Sequence, residues 1–211
     1  MRSDGENTME SLLKAAEEKF AENGFKGTTI RSICEKAGAN IALVSHYFGS
    51  KKELYSMVCR RLFDGQAHAV EHLADNVDGE EAWQDAMRRW IDALLDIATS
   101  RDVRKRRIAR IFRHEVTDPS AVNAYLLKEF GTPILSCLRR LVEMALPEGG
   151  EEQILLWMGH IWLRISVYAL SDDSWLQKFR PEEMPADEWA KHVGGHLADS
   201  VFLQLKYRQG K

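Results

Sequence analysis

Between Thr28 and Lys51 the chain carries two short apolar helical stripes, each closed by a glycine. The span is too brief for anything but a tight helix pair. Thr28-Thr29 opens the first helix, Ile30, Ile33 and Ala37 form its stripe, and Gly38 stops it. Asn40 stands where it can cap the second, Val44 and Phe48 lie along one side, and Gly49-Ser50 breaks it. Helices this short cannot bury their stripes alone, so they must lock against each other and a third element. That is the layout of a helix-turn-helix, with the outward face of the second helix free to enter a major groove. Taken alone, the pattern fits any three-helix packing unit.

The surrounding chain is read as all-α. Alternating Val/Ile/Thr runs and Asn-Gly hairpin turns are missing. A first helix shows Met9, Leu12, Leu13, Ala16 and Phe20 at helical spacing, with Asn7 and Glu10 as a capping box and Asn23-Gly24 as its stop. Ser50 caps a longer helix expected to run from Lys51 to about Ala74. Further helices are expected near 81–99, 102–116, 120–146, 151–171 and 186–207, with Pro119 at a helix start and Pro133 as a break. Asp172 to Pro185 reads as the longest loop. The expected division is 1–50 for the helix-turn-helix domain, 51–74 for a connecting helix and 75–211 for a helical C-terminal domain.

Charge sharpens the division. The whole chain of 211 residues has a formal net charge of −3. Yet Lys26, Arg31, Lys36, Lys51, Lys52, Arg60 and Arg61 face only Glu35 and Glu53 between positions 26 and 61, a local +5. A basic segment ahead of an acidic body suits a nucleic-acid-binding unit on a regulatory domain, or else a solvated charged face.

The order of residues then narrows the reading. The stretch GFKGTTIRSICEKAGANIALVSHYFGSKKELY resembles the DNA-binding domain of the TetR family of bacterial transcriptional regulators. The resemblance rests on Gly24-Phe25, Thr28-Thr29, Ile33 through Ala37-Gly38, His46-Tyr47-Phe48 and Ser50-Lys51-Lys52-Glu53-Leu54. It implies a phosphate contact at Thr29, a DNA-facing Arg31, and base-facing Asn40, Ile41, Ala42 and Ser45. His46, Tyr47 and Lys51 match phosphate-clamping positions. Ile41, Ala42 and Leu43 supply no bidentate base contact. Readout then leans on thymine methyls, Asn40, Arg31 and DNA shape. Leu43 serves equally well as packing. RIARIFRHEVTDPSAVNAYLLKEFGTPILSCLRRLVEMAL is similar to the CecR-like C-terminal domain of one TetR subgroup, through Arg113-x-Glu115, Asp118-Pro119-Ser120 and Pro133. That similarity implies an effector-binding and dimerising domain.

Beyond residue 150 the sequence favours self-association. Ile154 to Leu170 is apolar in 13 of 17 positions, short for a bilayer crossing and interrupted by His160 and Arg164. Trp189, Val193, Leu197, Val201 and Leu205 make a second stripe, and Gly194-Gly195 permits close approach by a partner. A homodimer through helices 151–171 and 186–207 is therefore expected. All six tryptophans (Trp83, Trp90, Trp157, Trp162, Trp175, Trp189) lie outside the basic segment and serve as core or as pocket walls. Arg113, Trp157, His160, Arg164 and Tyr168 are the candidate small-molecule contacts, with His160 and Arg164 alternatively meeting carboxylates across the dimer. Seven basic residues from Arg101 to Arg113 form an ion-paired surface or an anion site.

Other chemistries find little footing. His68/His72, with Asp64 and Glu71 nearby, and His192/His196 have metal-compatible spacing, but two ligands do not make a site, so no metal is assigned. No cofactor is expected, and without GxSxG, HExxH, a P-loop or a dinucleotide fingerprint no enzyme is either. Three scattered cysteines and a start lacking a signal-peptide apolar core suit the cytoplasm. The sequence thus points to a homodimeric repressor released from a palindromic operator by a small molecule. The alternative is a helical interaction or ligand-binding module that does not read DNA.

Overall fold

The computed structural model describes residues 4–171 and 173–209, and every regular element among them is helical. In order these are α1 (Asp4–Gly27), α2 (Ile30–Ala37), α3 (Ile41–Phe48), α4 (Lys51–Phe63), α5 (His68–Glu71), α6 (Glu80–Thr99) and α7 (Val103–Thr117). Then follow α8 (Asn123–Leu126), which runs into a π-turn at Leu127–Gly131, α9 (Thr132–Ala145), α10 (Glu151–Leu170), α11 (Asp173–Phe179) and α12 (Ala186–Gln209). No helix among the described residues is long and apolar enough to cross a membrane.

The chain divides into two units. One comprises the described residues up to Asp64 together with Arg107–Leu127; the other comprises Gly65–Arg106 and the described residues from Lys128 onward. In the first, Leu12, Ala16 and Phe20 of α1 are buried with Ile33 of α2, Val44 and Phe48 of α3, Leu54 and Val58 of α4, and Ile111 of α7. Each of these side chains except that of Ala16 contributes roughly 1.5–3 kcal/mol by leaving water. Arg107 ties α7 to α1 by pairing with Glu17 and Glu18, both at 2.8 Å. Part of the basic cluster at 101–113 is therefore structural.

The second unit is centred on Trp90, Met87 and Leu95 of α6, Leu138 and Leu141 of α9, Ile161 of α10, and Val201 and Phe202 of α12. The indoles of Trp83 and Trp90 donate to the carbonyls of Leu141 (2.7 Å) and Ile134 (3.3 Å). Those tryptophans are satisfied core residues. The side chain of Trp175 lies outside the described residues.

Several local expectations are corrected. Asn7 sits inside α1, where its carbonyl accepts from Ser11, so it is not the cap. The helix beginning at Lys51 stops at Phe63, because the chain turns at Gly65 with φ +79°, and resumes as α5. No helix starts at Pro119; α8 begins at Asn123. At Pro133, where a kink or break is expected, the helical run does not stop: α8, the π-turn at Leu127–Gly131 and α9 follow without a gap, and Pro133 stands in the first turn of α9. The expected loop after residue 171 contains α11. At Gly194 the close neighbour is α6 of the same chain: a Cβ there would lie 2.2 Å from Asp92 Oδ1. Gly195 has open space.

Candidate nucleic-acid interface

Three caps and two glycines set the geometry of α2 and α3. Thr29 Oγ1 accepts from the Ser32 amide at 3.0 Å while Ser32 Oγ reciprocates at the Thr29 amide, a capping box. Gly38 ends α2 with φ +64°, a left-handed conformation open to glycine. Asn40 Oδ1 accepts from the Ala42 amide at 2.9 Å, and Ser50 Oγ accepts from that of Glu53 at 3.2 Å. Each cap satisfies a donor that the helix start would otherwise leave unpaired.

Buried Ile33, Val44 and Phe48 fasten the pair from behind and turn the remaining positions outward. Thr29, Arg31, Asn40, Ile41, Ala42, Ser45 and His46 are exposed, whereas Tyr47 and Lys51 are half-buried at the margin. The structure thus brings all nine candidate residues onto the α2–α3 region and the start of α4. Ile41 is 51% exposed, an apolar side chain that packing does not explain. Leu43 is half-buried and divides its surface between packing and solvent.

The side chains differ in readiness. The Thr29 hydroxyl accepts from Ser32, yet its own hydrogen can still reach a phosphate oxygen. Arg31 is paired with Glu35 at 2.9 Å on the surface, where such a pair contributes only about 0–1 kcal/mol and is readily exchanged for phosphate. Asn40 spends its carbonyl on the cap, so it keeps only N–H donors. A bidentate grip on adenine needs both amide atoms and would uncap α3. Lys51 Nζ lies 4.4 Å from the centre of the Phe25 ring, and partial burial lowers its pKa from the ordinary lysine value.

Partners distant in sequence change the charge balance. Lys26 pairs with Asp118, Lys36 with Glu18, and Arg61 with Glu10 and Glu17. Much of the apparent +5 is neutralised within this unit. Beside the end of α3, Lys51 is half-buried and Lys52 exposed.

The candidate effector contacts scatter. The Trp157 and His160 rings lie 5.8 Å apart, and Arg164 donates to His160 Nε2 at 2.7 Å and to Ser200 Oγ at 3.0 Å. Tyr168 instead packs edge-on to Trp189, with ring centres 5.8 Å apart. Arg113 belongs to the other unit. A feature the sequence reading missed is a cavity of about 590 Å³ beside α6 and α12, lined by Asp92, Leu95, Asp96, Thr99, Arg101 and Lys191 among others. It is assembled from segments about a hundred residues apart, which no local pattern could signal.

A capped, internally fastened pair of short helices with an exposed outer face, within an all-α chain, defines a helix-turn-helix. Residues 12–58 match the family described as bacterial regulatory proteins, tetR family. Over that segment the chain is similar to the TetR family of transcriptional regulators. It is 24% identical over 161 residues to the probable HTH-type transcriptional regulator YttP of Bacillus subtilis, covering 75% of this chain and 73% of that one. With the HTH-type transcriptional dual regulator CecR of Shigella flexneri it shares 28% identity over 146 residues, 65% of this chain and 64% of CecR. The fold is that of HlyIIR, a hemolysin II transcriptional regulator, with a TM-score of 0.66 and 21% identity over 93% of this chain and 98% of HlyIIR.

Proposed function

We propose that the chain is a cytoplasmic homodimeric repressor whose α3 helices enter successive major grooves of a palindromic operator and which a small molecule releases. Under this reading residues 1–50 supply the DNA-reading surface, 51–74 the connection, and 75–211 the effector-binding and dimerising functions, except that Arg107–Leu127 pack with the first unit. The observation that carries it is the outward face of α2 and α3: seven exposed candidate residues over a buried frame, with Lys51 at its edge. Thr29, His46, Tyr47 and Lys51 hold phosphates, while Arg31, Asn40, Ile41, Ala42 and Ser45 face the groove. Half-sites would lie about 34–36 Å apart, or a multiple of that.

The effector belongs in the second unit. The α6–α12 cavity is of ligand size. Trp157, His160, Arg164 and Tyr168 remain the sequence-based contacts, with Arg113 a separate candidate. Release requires only that the effector bind the DNA-compatible and incompatible states with different affinity.

Selection of bound genomic fragments supplies the operator, and salt titrations of its affinity test the docking. Lys51→Ala should weaken specific and non-specific binding alike and reduce the salt slope by about one. Unchanged affinity and slope would remove Lys51 from the interface. A flat, salt-independent titration of the parent chain would favour an interaction module that does not read DNA.

A further inference from the structure

We propose that His68, Glu71 and His72 form a binding site for a divalent transition-metal cation of the zinc class. Sequence spacing supplies two imidazoles one turn apart; the structure adds a carboxylate between them. Glu71 Oε1 contacts His68 Nδ1 and stands 3.3 Å from His72 Nε2, and the three ligand atoms all lie within 4.8 Å of one another. Bonds of about 2.0–2.1 Å at tetrahedral angles place ligand atoms roughly 3.4 Å apart, so small side-chain adjustments complete the set. Two histidines and one carboxylate leave the fourth position open to water or another donor.

The scaffold behind these ligands is built to present them. Ala67, Val70 and Ala74 are buried in the second unit, which turns positions 68, 71 and 72 outward on one side. His72 Nδ1 lies 3.0 Å from Asp75 Oδ2, and Arg140 holds that carboxylate at 2.7 Å through its other oxygen. A proton kept on Nδ1 leaves the Nε2 lone pair facing Glu71, where the cation would sit. A carboxylate behind a histidine in this way fixes the tautomer and strengthens the ligand. The other pair differs: His192 Nδ1 lies 2.9 Å from the carbonyl of Glu188, and the described residues supply no third ligand there.

The test is equilibrium dialysis of the full chain, freed of metal by chelator, against excess Zn²⁺, with Co²⁺ absorption as a report of coordination. One Zn²⁺ per chain is expected. It should be lost in His68→Ala/His72→Ala and kept in His192→Ala/His196→Ala. Asp75→Asn should weaken binding about 10–100-fold with the stoichiometry intact. Far-UV circular dichroism verifies that each variant is folded. No Zn²⁺ bound by the parent chain, binding that survives His68→Ala/His72→Ala, or loss through the other pair would each overturn the assignment.

Discussion

Glu115 gathers three segments of the first unit onto one buried carboxyl. It is 5% exposed and accepts from the Tyr55 hydroxyl at 2.7 Å, the Ser120 amide at 3.1 Å and the Asn123 side chain at 3.2 Å. Burial, reinforced by Cys59 and Glu115, pushes the Tyr55 pKa far above the tyrosine range, so the hydroxyl remains a donor at any working pH. Removing it would leave a buried acceptor short of one partner. Tyr55→Phe should therefore lower the unfolding free energy by about 1.5–3 kcal/mol in urea titrations. Tyr55→Phe and Glu115→Ala together should destabilise less than the sum of the two, because both break one network. A midpoint unchanged by Tyr55→Phe would show that the bond contributes nothing. The sequence marks Glu115 only through a family-like Arg-x-Glu pattern; its partner lies 60 positions away.

Elements whose boundaries are written in adjacent residues were legible before the structure. α2 and α3 begin and end where Thr29, Gly38, Asn40, Gly49 and Ser50 place them, since caps and left-handed turns are chemistry of neighbouring groups. The same legibility holds for the exposed face of α3, which follows from the apolar stripe opposite. Elements decided by distant contacts were not legible. The apolar spacing carries on past Leu62 to Val70 and Ala74 and masks the Asp64-Gly65 turn, whose glycine has φ +79°. The ion pairs that neutralise Lys26, Lys36 and Arg61 likewise join residues far apart in the chain. Two glycines separate these cases. Gly24 and Gly38 both have positive φ, at +68° and +64°, but a Cβ on Gly24 would meet the His114 ring at 3.0 Å, whereas nothing lies within 4 Å of one on Gly38. Alanine at Gly38, left-handed at ψ +32°, costs about 1–2 kcal/mol, whereas Gly24 at ψ −179° holds a conformation essentially confined to glycine. Gly24→Ala must also displace His114, so its thermal midpoint should fall further than that of Gly38→Ala. Equal shifts would mean that neither the Gly24 backbone nor His114 adds a cost.

At the scale of the whole molecule, the second unit leaves an apolar face that one chain does not cover. Leu156, Leu163 and Val167 of α10 are 66%, 69% and 55% exposed, and Leu203 of α12 is 71% exposed. Arg164 joins the two helices through Ser200 and Gln204, so these side chains belong to one surface. Ile154, Trp157, Ile161 and Ile165 bury one side of α10 in the chain's own core, while Leu156, Leu163 and Val167 stay exposed. Contiguous apolar surface of this kind marks an association site. Under the proposed function, an isologous contact here would supply the dimer for a palindromic operator. Leu156→Glu/Leu163→Glu places four carboxylates in that contact, two from each chain, while both positions stay solvated in the monomer. Sedimentation should therefore give twice the chain mass for the parent and a single chain mass for the variant, with helicity unchanged. Operator affinity should fall steeply in the variant, because each helix-turn-helix then binds its half-site alone. Binding to an isolated half-site should hardly change. A variant that still sediments as a dimer would place the interface elsewhere, and one that stays monomeric yet binds the full operator as tightly would uncouple dimerisation from DNA reading.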